Sequence, residues 1–160
     1  MVLFLKILVF TVFIPGTVAG YIPWSMLRDV PLVSALWVYP AVFCFTVGTA
    51  IYVWCAYDFG VAGQGTPAPI DAPRHLVVRG HYQNVRNPMY VGVVTVLVGW
   101  TLLYQSENLL KYTVAVFGAF HLFVVFYEET RLQRLFGEEY TAYRSKVGRW
   151  IPRINAKDRS

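Results

Sequence analysis

The chain has 160 residues, of which 56% are hydrophobic and 14% are charged, and its mean hydropathy is +0.46. Soluble domains average about 25% charged residues, so this composition excludes an ordinary soluble domain and favours a single all-α membrane domain over residues 1–160. The formal net charge of +5 does not indicate nucleic-acid binding, because most lysines and arginines flank apolar runs instead of forming a basic stripe interleaved with aromatics.

The first predicted element is a membrane span over residues 2–20, close to the length of about 20 apolar residues that crosses the hydrocarbon core. Pro15 and Gly16 interrupt the run, and Lys6 is near enough to its end to reach the interface. An alternative is a cleaved signal peptide, since small residues at positions 17–19 end the run. A span is preferred, because Lys6 is the only charge in what would be the basic region of the signal.

The second predicted span covers residues 31–57, with a bend expected at Pro40. Cys44 and Cys55 both lie inside this apolar run, where their spacing favours buried thiols over a disulfide or a metal site. Residues 58–87 are rich in glycine, proline and charge. They are too polar to lie against lipid and are therefore predicted to form a central loop.

The third and fourth predicted spans, residues 88–104 and 109–127, are joined by a short turn and form a helical hairpin. From residue 128 the chain becomes basic, and its apolar residues recur at spacings near three and four. This pattern predicts an amphipathic helical segment, which Gly137 is expected to break in two.

The distribution of lysine and arginine predicts the orientation. The central loop carries three arginines and the C-terminal segment eight basic residues, whereas the opposite loops carry only Arg28 and Lys111. The positive-inside rule therefore places the central loop and the C-terminus in the cytoplasm, and four spans place the N-terminus there too.

One candidate site lies where the central loop meets the third span. Asn87 is predicted to be an N-cap and Pro88 the first helical residue, where a missing N–H does no harm. Capping and interfacial anchoring alone could explain these residues, but they do not explain why Arg86, Tyr82 and Tyr90 crowd the same helix start. Free N–H groups, a positive helix end and a guanidinium together suit a carboxylate or a phosphate.

The second candidate site is the pair Glu128 and Glu129 at the end of the fourth span. One interpretation is solvated carboxylates that pair locally with Arg131 and Arg134. The other is a functional site, because a carboxylate held near hydrocarbon is costly and tends to face a polar cavity. His121 is expected to make a structural hydrogen bond, since no metal-ligand spacing surrounds it.

Both segments resemble the signatures of the isoprenylcysteine carboxyl methyltransferase and phospholipid methyltransferase family. The resemblance covers residues 63–152, with cofactor segments at 63–90 and 128–152. It departs from the family at Asn87, where His is usual, and at Val124, where Arg is common. The matching residues are 76–92 (LVVRGHYQNVRNPMYVG), 128–140 (EETRLQRLFGEEY), Tyr143, Val147, Arg149 and Pro152.

The resemblance implies S-adenosylmethionine bound at the cytosolic face and a lipophilic acceptor that reaches it from the bilayer. We expect Arg86 and the helix start to hold the cofactor's carboxylate, with Glu128 on its ribose hydroxyls or amino group. Tyr82 or Tyr90 would then face the sulfonium. Arg86 and Glu129 are the candidates for a catalytic role. The cofactor-binding residues implied by motif position are Arg74, His75, Leu76, Val77, Tyr82, Asn87, Pro88, Met89, Tyr90 and Glu128.

Several alternatives stay open at this point. A membrane sterol-type reductase using NADPH looks similar in the C-terminal segment, and a non-catalytic membrane scaffold could keep the same fold. The acceptor could be a prenylcysteine carboxylate, a phospholipid amine or a related lipid. A carboxylate acceptor needs no base, whereas an amine must first lose a proton, for which Glu129 or His81 are candidates. The oligomeric state is open.

Overall fold

The structure is a computed structural model that describes residues 2–27, 34–63 and 75–153. These residues form a bundle of helices, and the only strand-like pairing among them is an isolated bridge between Val85 and Gly148. The all-α prediction is confirmed. The α-helices are α1 (Val2–Phe13), α2 (Ile22–Met26), α3 (Val38–Asp58), α4 (Pro88–Tyr104), α5 (Glu107–Phe123) and α6 (Glu129–Lys146).

Short π-helical turns extend or join several of these helices. The turn Thr17–Tyr21 joins α1 to α2, and the turn Val124–Glu128 joins α5 to α6. Three long helices result that are apolar enough to cross a membrane, over Val2–Met26, Ala35–Ala62 and Glu107–Lys146. Together with the shorter apolar helix α4, they agree with four predicted spans.

The surfaces of these helices are those of a membrane protein. Large apolar side chains face outward along them, and Phe43 and Val114 are 68% and 62% exposed. In water such a continuous apolar surface would drive association, whereas in a bilayer it meets hydrocarbon. Pro40 lies in the first turn of α3, directly after the short turn Ala35–Trp37, where a proline removes no α-helical hydrogen bond.

The third long helix is longer than the bilayer is thick. As one straight helix its 40 residues would measure about 60 Å, twice the hydrocarbon core. Residues 107–127 supply about 31 Å and form the fourth span, so α6 extends beyond the membrane. Gly137 has φ 50° and ψ −118° inside α6, which confirms the predicted break.

The closest helix pair is α3 and α4, and glycine permits it. A Cβ placed on Gly48 would lie 2.6 Å from the carbonyl oxygen of Gly92, and one on Gly92 would lie 2.8 Å from that of Gly48. Ala41 is fully buried, and its carbonyl oxygen faces Gly99 in the same interface. Small residues let helix backbones approach closely, which increases the van der Waals contact between spans.

Replacing Gly48 with alanine is therefore expected to destabilise the bundle by about 1–3 kcal/mol, the usual cost of overpacking. The matched control is Gly118→Ala in α5, where a Cβ would meet nothing within 4 Å. That change should be neutral or stabilising, because alanine is the better helix former. Thermal unfolding in detergent measures both, and equal melting temperatures for the two variants would contradict the assigned contact.

The first helix is tied to the bundle by side-chain hydrogen bonds. Trp100 Nε1 donates to the carbonyl of Ala19 at 2.8 Å, and Tyr112 Oη donates to the carbonyl of Val18 at 2.9 Å. The indole and the phenol thus reach carbonyls in the π-helical turn, where backbone hydrogen bonding is irregular. These bonds hold the turn against α4 and α5.

Candidate functional site

The two polar segments that the sequence singled out meet at one end of the bundle. Tyr90, in the first turn of α4, donates from Oη to Glu128 Oε2 at 2.9 Å. Glu128 is the last residue of the π-helical turn that ends the fourth span, and such turns often occur at functional sites. This hydrogen bond connects two residues that are 38 positions apart in the sequence.

Asn87 and Pro88 occupy the predicted positions at the start of α4. The helix begins at Pro88 with Asn87 as the N-cap residue, but the Asn87 side chain makes no capping hydrogen bond. It donates instead from Nδ2 to the carbonyl of Arg149 at 3.2 Å. The prediction of Asn87 as the N-cap residue and Pro88 as the first helical residue is confirmed, while the Asn87 side chain binds the returning C-terminal segment.

Glu129 sits between two arginines that are distant in sequence. Its Oε1 lies 2.9 Å from Arg86 Nη1 and 2.7 Å from Arg149 Nε, and its Oε2 accepts from Arg149 Nη2 at 3.0 Å. The side chains of Glu129 and Arg86 are 9% and 7% exposed. We refer to these three residues as the Glu129 cluster.

The local salt bridges considered from the sequence are not formed. Arg131 donates to the hydroxyl of Tyr127, one helical turn earlier, and its guanidinium lies 6.0 Å from that ring. Glu128 and Glu129 turn toward the bundle instead. The interpretation of the pair as solvated carboxylates with neighbouring arginines is therefore wrong.

The Arg86 guanidinium makes one further hydrogen bond and also has a buried N–H group without a partner among the described residues. Its Nη1 also donates to the hydroxyl of Tyr140 at 3.2 Å, whereas its Nε is buried without a hydrogen-bond partner among the described residues. Buried donors are nearly always paired in folded proteins, so an unpaired guanidinium N–H at a candidate site points to a bound acceptor.

Residues 147–153 form a strap across this end of the bundle. The N–H of Arg86 donates to the carbonyl of Gly148 at 2.8 Å, beside the Val85–Gly148 bridge. Farther along, Trp150 Nε1 donates to Nδ1 of His121 at 3.1 Å. His121 therefore has the expected structural hydrogen bond, although its partner is the strap and not another span.

The two neighbouring carboxyls have opposite electrostatic environments. Burial raises the pKa of Glu128, which the hydrogen bond from Tyr90 offsets only in part. Burial would also raise the pKa of Glu129, but the hydrogen bonds from Arg149 and the charge of Arg86 outweigh it, so that pKa is lowered. The bond to Glu129 in turn raises the pKa of Arg149. Glu129 is therefore a poor proton acceptor, whereas Glu128 is the carboxyl poised to change charge.

The remaining predicted residues differ in how deeply they are packed. Tyr82 is buried and contacts Val77, its carbonyl accepts from Tyr143 Oη at 2.6 Å, and burial raises the pKa of its own phenol. Met89 packs against the same cluster, and Leu76 packs against Tyr143. His75 is exposed, and Arg74 lies outside the described residues.

An ion pair between the buried Asp58 and the half-exposed Arg79 was not anticipated from the sequence. Asp58, at the end of α3, is fully buried and lies 2.9 Å from Arg79 Nε, yet neither of its carboxylate oxygens accepts a hydrogen bond from a described residue. Gly80 has φ +56°, and a Cβ there would lie 2.4 Å from Asp58 Oδ2. The ring of His81 packs 5.6 Å from Trp54. The only sequence signal was a carboxylate at the end of an apolar run.

Metal chemistry has no support in residues 2–27, 34–63 and 75–153, where no group of three or more His, Cys, Asp or Glu side chains could hold an ion. Cys44 and Cys55 are free thiols, and the predicted burial is confirmed for Cys55, which is fully buried, but not for Cys44, which is partly exposed. The arrangement thus offers carboxylates, guanidinium groups and aromatic rings at the end of an apolar bundle.

The sequence of the chain is similar to known protein sequences. The sequence model of the phospholipid methyltransferase family matches residues 36–139. An uncharacterized protein of Haemophilus influenzae is 36% identical over 64 residues, which are 39% of this chain and the whole length of that protein. No solved structure matches the chain significantly.

Proposed function

The chain belongs to the phospholipid methyltransferase family, and from this membership we propose that it transfers a methyl group from S-adenosylmethionine to a lipophilic acceptor at the cytosolic membrane face. Membership makes it a membrane methyltransferase of the lipid type. The methyl donor, the acceptor and the assignment of individual residues are our proposals.

The observation that carries the proposal is the hydrogen bond between Tyr90 and Glu128. It joins the helix start of α4 to the end of the fourth span, so the two motifs form one site rather than two. Glu128 is partly buried, and its Oε1 makes no hydrogen bond or ion pair within the described part of the chain. A free carboxylate oxygen at a membrane boundary is a binding group for hydroxyls or a cation.

The residues fit the chemistry of S-adenosylmethionine. This donor supplies a methyl group on a cationic sulfonium, together with a carboxylate, an amino group and a ribose. The unpaired Arg86 Nε is a buried donor suited to a carboxylate. Glu128 Oε1 suits the ribose hydroxyls or the amino group, and the rings of Tyr82 and Tyr90 can face a cation.

Catalysis by these residues would consist of positioning. In-line displacement requires reacting atoms about 3–3.5 Å apart with aligned orbitals, which a fixed cofactor and a fixed acceptor provide. The Glu129 cluster holds Arg86 in one orientation, and the strap covers this end of the bundle through Gly148 and Trp150. For an amine acceptor, the raised pKa of Glu128 makes it a better proton acceptor than Glu129.

The proposed cytosolic location of the site is inferred from the distribution of basic residues. The strap, α6 and the described part of the central loop lie at the same end of the helices, because Arg86 contacts both Glu129 and Gly148. Most of the basic residues belong to these segments, so the positive-inside rule supports a cytosolic site.

Ligand-dependent melting tests the proposal. At 100 times its Kd, S-adenosylhomocysteine should stabilise the detergent-solubilised protein by about 2.7 kcal/mol, a shift of about 5–10 °C, because it binds only the native state. NADPH at the same concentration should leave the melting temperature unchanged.

The outcome also separates the alternatives. A shift with NADPH alone would favour the sterol-type reductase, and no shift with either ligand would favour a non-catalytic scaffold. The acceptor is then identified by incubating the protein with labelled donor and extracted membrane lipids, and by determining which product carries the label.

A further inference from the structure

A groove between α4, α5 and the strap opens toward the lipid-facing side of the bundle. Its volume is about 250 Å³, below the roughly 300–1,000 Å³ of pockets that enclose drug-sized ligands, so it suits a narrow ligand. From Tyr90 to Val98 it follows α4 for about 12 Å, at 1.5 Å per residue. Its lining residues are Tyr90, Val91, Val94, Thr95, Val98, Phe117 and Trp150.

The polar groups around the groove are all engaged within the protein. Tyr90 Oη donates to Glu128, Thr95 Oγ1 donates to the carbonyl of Val91 at 2.8 Å, and Trp150 Nε1 donates to His121. The groove therefore presents hydrocarbon and aromatic carbon to its occupant. A polar ligand would lose its hydration there without gaining hydrogen bonds.

The groove is continuous with the candidate site. The ring of Tyr90 lines it while the hydroxyl of the same residue holds Glu128, so an occupant in contact with this ring ends beside the carboxyl. Trp150 of the strap forms one wall, because its ring packs at a tilt against Phe117 and edge-on against Tyr90, with ring centroids 5.3 Å and 6.4 Å apart. At the other end, Val98 and Phe117 are 37% and 40% exposed and therefore meet the bilayer.

We propose that this groove holds one acyl chain of the phospholipid acceptor, with the headgroup at Tyr90 and Glu128 and the chain extending toward Val98. The inference rests on the proposed function for its headgroup end. The occupant is a lipid chain because the groove lies between two membrane helices, offers only apolar surface and ends at the polar site. Val94 lies midway along the groove, so a larger side chain at this position would fill it.

Photo-crosslinking tests the assignment. The probe is phosphatidylethanolamine with a diazirine on one acyl chain, added in trace amounts to the full-length protein in detergent micelles. Mass spectrometry should locate the label at residues 91–98 and at Phe117. Val94→Trp, which fills the groove, should reduce this labelling at least tenfold. The control Val114→Trp, on the exposed side of α5, should leave it unchanged.

Equal labelling in the Val94→Trp variant and the unmodified protein, or labelling spread evenly over α1 and α3, would overturn the groove assignment. A cooperative thermal unfolding transition in detergent reports the folding of each variant. If Val94→Trp does not fold, Val98→Trp at the open end should still shift the label out of residues 91–98. Groove labelling without S-adenosylhomocysteine binding would overturn the proposed function and leave the groove assignment standing.

Discussion

Replacing Glu129 with alanine is expected to lower the free energy of unfolding by about 3–5 kcal/mol, the usual cost of breaking a buried ion pair from one side. The change leaves the Arg86 guanidinium, 7% exposed, without a counter-charge and removes the acceptor that holds Arg149. Both the start of α4 and the strap lose one of their links to α6. Thermal unfolding in detergent measures the effect, and proteolysis of the strap should become faster.

The control is Glu139→Ala on the exposed side of the same helix, which should change stability by less than about 0.5 kcal/mol. Arg149→Ala should fall between the two, because Glu129 keeps Arg86 and the Arg149 side chain is already 32% exposed. If Glu129→Ala melts like Glu139→Ala, the cluster does not stabilise the native state and its structural role is wrong.

Replacing Glu128 with glutamine is expected to weaken S-adenosylhomocysteine binding by about 10- to 150-fold. This range corresponds to the loss of a charged hydrogen bond, about 1.5–3 kcal/mol. Glutamine keeps the shape of the side chain and can still accept from Tyr90, so the fold should persist. Isothermal titration calorimetry measures the affinity, with Glu138→Gln as the exposed control. An unchanged affinity would contradict the proposal that Glu128 binds the cofactor.

The same variant should be more stable than the unmodified protein at neutral pH. The pKa of Glu128 is raised in the folded state, so the stability that its neutral form contributes is present below the unfolded pKa and is lost as pH rises through the folded value. Glutamine stays neutral at every pH, so the variant keeps this contribution to stability. The difference in melting temperature should therefore grow from acidic toward neutral pH. A variant less stable than the unmodified protein at pH 8 would show that Glu128 is a structural residue.

If the Glu128→Gln variant binds S-adenosylhomocysteine more weakly and is also more stable, Glu128 is a functional residue. Removing an ionised carboxyl from a desolvated position benefits folding, and a protein keeps such a group where it binds or reacts. Glu129 should show the opposite behaviour, since it stabilises the fold through Arg86 and Arg149. Two adjacent glutamates thus have different roles, because their side chains meet different neighbours.

Some of this organisation was predictable from local pattern. The helix range Pro88–Tyr104 coincides with the predicted third span, because length and hydropathy are properties of a continuous segment. The break at Gly137 likewise followed from residue type. Clustering of charge at residues 74–90 and after 128 identified the polar segments before any contact was known.

The partners of the charged groups were not predictable in this way. Periodicity relates residues three or four positions apart, and it led to Arg131 and Arg134 as partners of the glutamate pair. The actual partners of Glu129 are Arg86 and Arg149, 43 and 20 positions away. The ion pair of the buried Asp58 with Arg79 escaped prediction for the same reason.

The sequence by itself determined that the protein is a helical membrane protein, approximately where its spans lie and which segments carry its polar chemistry. Hydrophobic length and charge distribution decide these features within each segment. Only the tertiary structure decided that Tyr90 meets Glu128, that Glu129 holds two arginines and that the strap closes over the start of α4. Those contacts depend on how α4 packs against the fourth span and on where the chain returns after α6, and no single segment encodes either.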